Sequence, residues 1–216
     1  DFCLSRGLGD VYKRQEPNLS FEWGYRYVTP AEYVDFLKGV YVAAHAANPD
    51  IVVLGGALAP TLEKSDNALD DLDFLQGVYD AGGAPYFDGL AVHTYGFTQP
   101  PDALPDPNTL NFRRLELLRA IMMTHSDAHK PVYITESGWN DAPRWTLAVT
   151  PGQRVAYTLD AYRLAEVQWP WVKQLCMWYF RAPAWTHAYP DYWSFVTPDF
   201  QLRPIYDAVQ AYARAK

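Results

Sequence analysis

Two glutamates stand where a side chain does chemistry more readily than packing. Glu136 directly follows the apolar run Pro131-Val132-Tyr133-Ile134-Thr135 and precedes Ser137-Gly138-Trp139-Asn140, so a carboxylate closes a predicted buried strand and a glycine lets the next loop turn. Glu16 precedes Pro17, which ends any strand and marks a strand-to-loop junction. Each has an ordinary alternative: a sheet-holding pair with an arginine for Glu136, an exposed loop position for Glu16. As a pair they meet the minimum for cleaving a glycosidic bond. One protonated carboxyl delivers a proton to the leaving oxygen, and one ionised carboxylate attacks or stabilises the sugar cation. His125 and His129 have a spacing able to hold a metal, but further ligands are lacking nearby and the pair reads as a solvated helix end. Arg113-Arg114 reads as surface charge, and no metal site or cofactor motif is expected.

The elements that must position these residues alternate along the chain. Thr29-Pro30-Ala31-Glu32 combines an N-cap residue, a proline at the first helical position and an acid at the third, predicting a helix that ends before Pro49. Further helices are predicted over 69–81, 110–125, 150–169 (opened by a capping box at Thr150 and Gln153) and 204–215. Strands are predicted at 51–54, stopped by Gly55-Gly56, and at 87–93, 131–135 and 172–180. Short buried strands alternating with amphipathic helices imply a parallel sheet covered by helices. An open doubly wound sheet and a closed eight-stranded barrel both fit; Gly55-Gly56, without the spacing, is weak evidence for a phosphate loop, and the candidate functional residues tilt the choice toward the barrel. In a barrel the active site lies at the C-terminal strand ends, where Glu136 falls.

Composition narrows the ligand. With 216 residues, 49% hydrophobic and 20% charged, and no linker-like stretch, the chain is expected to form one globular domain. A net charge of −7 repels phosphate backbones, which argues against nucleic acid and for a neutral or cationic ligand. No apolar run is long enough to span a bilayer, so no membrane partner is expected. Cys3 and Cys176 are too few for a disulfide framework. The aromatic share of 16% suits a site of flat apolar faces with polar rims, the plain alternative being a tryptophan-rich core.

Residues 1–15, DFCLSRGLGDVYKRQ, lack the charged and apolar regions of a signal peptide and look foreign to the rest of the chain. They resemble translated sequencing-adaptor read-through and are given no functional role, although Val11-Tyr12 has some strand propensity. Residues 16–216 are taken as the domain, and localisation stays open.

The ordered set Glu16-Pro17-Asn18-Leu19 with Trp23, His93-Thr94-Tyr95-Gly96, Ile134-Thr135-Glu136-Ser137-Gly138 and Trp178 resembles clan A of the glycoside hydrolases, most nearly families 5 and 39. The tail from Trp193-Ser194-Phe195 to Arg203-Pro204-Ile205-Tyr206 also looks like the closing segment of these enzymes. The resemblance implies an α/β fold, a (β/α)8 TIM barrel that is incomplete: strands 5–8 with their helices are present, strands 1–3 and most of strand 4 missing. It implies retaining hydrolysis of O-glycosidic bonds in a poly- or oligosaccharide, with Glu16 as general acid/base and Glu136 as nucleophile. Tyr95 would donate its hydroxyl to Glu136, and His93 would contact sugar hydroxyls or hold Tyr95. Trp178 would form a stacking floor for a pyranose, with Asn18 and Trp139 further substrate-binding positions; Trp145, Trp185 and Trp193 also lie on loops able to line subsites. Gln15 stands where the clan has an asparagine that bonds the sugar 2-hydroxyl. The expected partner is a carbohydrate, without cofactor. The rival reading is a non-catalytic carbohydrate-binding protein on the same scaffold, or an inactive fragment whose open strand edges favour aggregation.

Overall fold

Strand and helix alternate in the computed structural model, which describes residues 15–215. The order is α1 (Pro30–Ala47), β1 (Leu54–Leu58), α2 (Asp71–Asp80), β2 (Gly89–Tyr95), α3 (Leu115–Thr124), β3 (Val132–Gly138), α4 (Pro151–Gln168), β4 (Val172–Leu175) and α5 (Pro204–Arg214). All strand pairs are parallel, and the strands lie side by side in chain order. A doubly wound sheet reverses direction part-way, whereas right-handed crossovers in strict sequence carry the helices to one face. On that face Val92 and Ile134 join Phe74, Leu75, Leu115, Leu118, Met122 and Ala161 in one buried cluster. The face opposite carries His93, Tyr95 and Glu136. The Val11-Tyr12 stretch and Cys3 lie outside the described residues.

Three expectations need correction. The apolar run 51–53 is not strand: Val52 is 54% exposed, and β1 begins at Leu54 and runs through the glycines that look like a stop in sequence. They serve a close approach. A Cβ on Gly55 would lie 2.8 Å from the Phe87 ring, Gly56 has φ +48, and the β1–β2 register shifts between Gly55 and Ala57. β4 stops at Leu175 instead of reaching Phe180. Arg114, expected at the surface, is 1% exposed. It donates to Asp71 and to Asp70, the residue whose side chain caps α2 by accepting from Leu72 N–H and Asp73 N–H. Burial lifts the Asp71 carboxyl above its usual range even against this guanidinium.

The capping box at α4 is formed, with Thr150 accepting from Gln153 N–H and Gln153 Oε1 accepting from Thr150 N–H. At α1 the cap differs. Thr29 makes no side-chain bond to the helix backbone and donates instead to Glu32 Oε2. Among the described residues no helix is long and apolar enough to cross a membrane.

Candidate active site

The sheet brings its polar residues together through one irregularity. Val92 pairs with Ile134, but the next partner of His93 is Glu136, so Thr135 is an extra residue in β3. Strict alternation from the core-facing Ile134 would aim Glu136 at the helices. The bulge instead turns it onto the face that β2 gives to His93 and Tyr95.

On that face, Tyr95 Oη–H donates to Glu136 Oε2 over 2.6 Å and Gln15 Nε2–H donates to Glu136 Oε1 over 2.8 Å. His93, buried, places Nδ1 2.6 Å from Glu16 Oε1 and 3.7 Å from Glu136 Oε2. One bonding scheme satisfies all of this: Nδ1–H donates to Glu16, leaving Nε2 to accept from the Gln15 amide at 3.3 Å. Glu16 is held at the start of a tight turn, with Leu19 N–H bonded to its carbonyl and Trp23 N–H to that of Leu19. The carboxylate oxygens of Glu16 and Glu136 come within 4.8 Å of each other.

Burial pushes the Glu136 carboxyl up; His93 and the Tyr95 hydrogen bond oppose this, the Glu16 charge adds to it, and the Gln15 bond opposes it again. The net direction is upward. Tyr95 is itself driven well above the usual phenol range, by burial first and then by Glu136, so it stays a proton donor to the carboxylate.

The chain folds like part of several solved glycoside hydrolases. It is similar to a family 39 glycoside hydrolase of Bacteroides cellulosilyticus, with 24% identity over 90% of this chain and 39% of that one and a TM-score of 0.64. A family 39 β-xylosidase of Caulobacter crescentus matches at 21% identity over 93% of this chain and 40% of that one, with a TM-score of 0.59. A family 128 endo-β-1,3-glucanase of Sorangium cellulosum matches at 17% over 89% and 65%, also with a TM-score of 0.59. The chain thus spans about two fifths of the family 39 structures it matches. No family model matches the sequence, and no curated protein matches it.

Of the positions singled out in the sequence, Glu16, His93, Tyr95 and Glu136 converge. His93 differs in detail: it is enclosed between the two carboxylates, not presented to a ligand's hydroxyls. Trp178 is 36% exposed, and its backbone N–H is bonded to the carbonyl of Ser137, the residue after Glu136. Asn18 does not reach the site. It is 0% exposed, and its amide is used up by Ala59 O, Leu69 O and Ala59 N–H, tying the Glu16 turn to the end of β1. Trp139 is also core: 1% exposed, donating to Gln99 O and packed over Gly96, where any Cβ would lie 2.0 Å from the indole. The loop that should have exposed it continues strand geometry to Gly138.

Two further residues join the site: Gln15, marked in the sequence only as standing where the clan has an asparagine, and Glu22. Gln15 belongs to the stretch that looks foreign, yet its amide is in the centre of the network. Glu22 has no motif to mark it; its carboxyl is raised by burial and by Glu16, against a bond from Gln15 N–H, and its Oε2 is buried without a partner. Glu16, His93 and Glu136 offer three clustered ligand atoms, but a metal ion would have to displace the Tyr95 and Gln15 donors and the Glu16–His93 bond, so the set fits proton chemistry better. His125 stacks on Tyr79 at 4.3 Å and contacts Gln76, apart from the exposed His129.

Proposed function

We propose that this chain carries the carboxylate pair of a retaining glycoside hydrolase, hydrolysing O-glycosidic bonds of a poly- or oligosaccharide. The observation that carries the reading is the close approach of Glu16 and Glu136, with oxygens inside 4.8 Å. Retaining enzymes hold their carboxyl groups about 5–5.5 Å apart, whereas inverting ones leave about 6.5–9.5 Å for a water. Residues 16–216 are read as the later units of a (β/α)8 barrel, strands 5–8 being β1–β4; the sequential parallel order and the coverage of the solved structures support this.

In the first step a Glu136 oxygen attacks the anomeric carbon while the bond to the leaving oxygen breaks and Glu16 gives that oxygen its proton. A glycosyl ester on Glu136 and a Glu16 carboxylate result. Glu16 then takes a proton from water, whose oxygen attacks the anomeric carbon and frees Glu136. His93 Nδ1–H stabilises the Glu16 carboxylate between the steps. Tyr95 holds Oε2 of Glu136, which leaves Oε1 to attack once a sugar hydroxyl takes over the Gln15 amide. Trp178 provides the floor under the ring. The neighbours named as a β-xylosidase and an endo-β-1,3-glucanase define the first substrates to try: β-linked xylose and glucose.

The test is trapping. An activated 2-deoxy-2-fluoro-β-glycoside should add one glycosyl mass to the protein, and peptide mapping should find it on Glu136. Label elsewhere would overturn the assignment; sugar binding without label or turnover would return the non-catalytic reading.

A further inference from the structure

A row of rings leads outward from the carboxylates. Tyr95 meets Trp193 edge-on at 4.9 Å, Trp193 meets Trp145 edge-on at 5.7 Å, and Trp145 then lies flat on Tyr189 at 4.9 Å with 13° between the planes. The last contact differs in kind. A parallel stack covers one face of Tyr189, yet the residue remains 48% exposed. We propose that the Trp145–Tyr189 stack is an outer sugar subsite, receiving a pyranose of the same chain that is bound at Glu16 and Glu136. The inference rests on the glycosidase reading above and extends it to substrate length.

The support under the ring is the second observation. Asn140, wholly buried, donates to Tyr189 O and accepts from Ala142 N–H, tying the two ring-bearing loops together. Buried Asp191 accepts from Thr186 N–H and His187 N–H, each at 2.8 Å, and buried Arg154 donates to Trp193 O and Ser194 O. Tyr179 Oη–H closes the frame on Pro190 O. An exposed ring gains little from hydrophobic burial, so its fixed position comes from these buried polar groups, which hold the backbone that carries it. A rigid ring with one open face offers contact area at low entropic cost, and it suits the apolar C–H face of a pyranose. The chain's negative charge favours a neutral ligand there, and continuity with Tyr95 points to the same saccharide instead of an unrelated molecule.

The test is binding of β-1,4-linked xylose, β-1,4-linked glucose and β-1,3-linked glucose oligomers, from disaccharide to hexasaccharide, by calorimetry. In the protein as it stands, one series should gain affinity with length. Tyr189→Ala should remove about five- to tenfold of the affinity for the long oligomers and leave the disaccharide unchanged, while Tyr189→Phe keeps the gain. Melting curves of both variants establish that they fold. An unchanged ratio of long to short affinities in Tyr189→Ala would overturn the outer subsite and leave the glycosidase reading intact. Absence of binding by every oligomer in the unaltered protein would overturn both.

Discussion

His93 stands opposite Glu136 in the β2–β3 ladder only because Thr135 is skipped. Without that extra residue the carboxylate would point into the helix-facing core, among Val92, Ile134 and Met122. One backbone irregularity therefore decides whether the chain has a site. Its Thr135 hydroxyl is left buried without a partner, an unsatisfied group at the place where the side chain is re-aimed.

The two carboxylates should fail differently. Glu16→Ala should lower turnover about 10²–10⁴-fold on substrates whose leaving group needs a proton, and far less on aryl glycosides with acidic phenols. Glu136→Ala should abolish turnover on both classes, because the covalent step is lost. Steady-state rates across a leaving-group series check this, and equal losses in the two variants would contradict the roles.

Burial of Glu136 has a consequence for stability. Its carboxyl lies above the ordinary 4.5 in the folded protein, so the fold holds this proton more tightly than the unfolded chain does. The resulting stability is fully present below the ordinary value and is lost as pH rises through the raised one. Glu136→Gln keeps the neutral form at every pH. The variant should melt higher than the original protein at neutral pH, and the gap should close near pH about 4. Thermal unfolding at the two pH values measures the gap.

Tyr95→Phe should act on the same carboxylate from the other side. Losing a donor 2.6 Å away removes one of the interactions that keep Glu136 ionised, so its pKa rises further. The acid limb of the kcat/KM profile should move to higher pH, with turnover about tenfold lower or less. An unmoved limb would show that the hydroxyl does not govern this titration.

Arg114 supplies a purely structural prediction. Its guanidinium is enclosed with Asp70 and Asp71, and Arg114→Met would strand two buried carboxylates. Unfolding in urea should show a loss of about 3–5 kcal/mol with an unchanged slope. Adding Asp71→Asn should recover part of it.

Periodicity and capping signals placed the five α-helices of the described residues because these signals are local: Thr150 and Gln153 lie within one turn, and Pro204 sets its own φ. The apolar runs likewise marked β2, β3 and β4, while the run at 51–54 met β1 only at Leu54, and the alternation with helices gave the parallel order. What the runs misjudged was where each strand begins and ends. Glycine reads as a breaker in sequence, yet Gly55 sits inside β1 because Phe87, from a distant segment, needs the space. Only the packed chain decides that.

The site divides the same way. Residue type and strand-end position picked out Glu16 and Glu136, since an ionisable group beside an apolar run is visible without a fold. Sequence could not say which way either pointed. The register slip at Thr135 and the amide reach of Gln15 are relations between segments far apart in the chain, and so are the burials that took Asn18, Trp139 and Arg114 out of solvent. An amide, an indole or a guanidinium has the same local signature whether it meets a ligand or a backbone carbonyl. The choice between those partners is made by tertiary packing, because a buried polar group must find its hydrogen bonds wherever the fold supplies them.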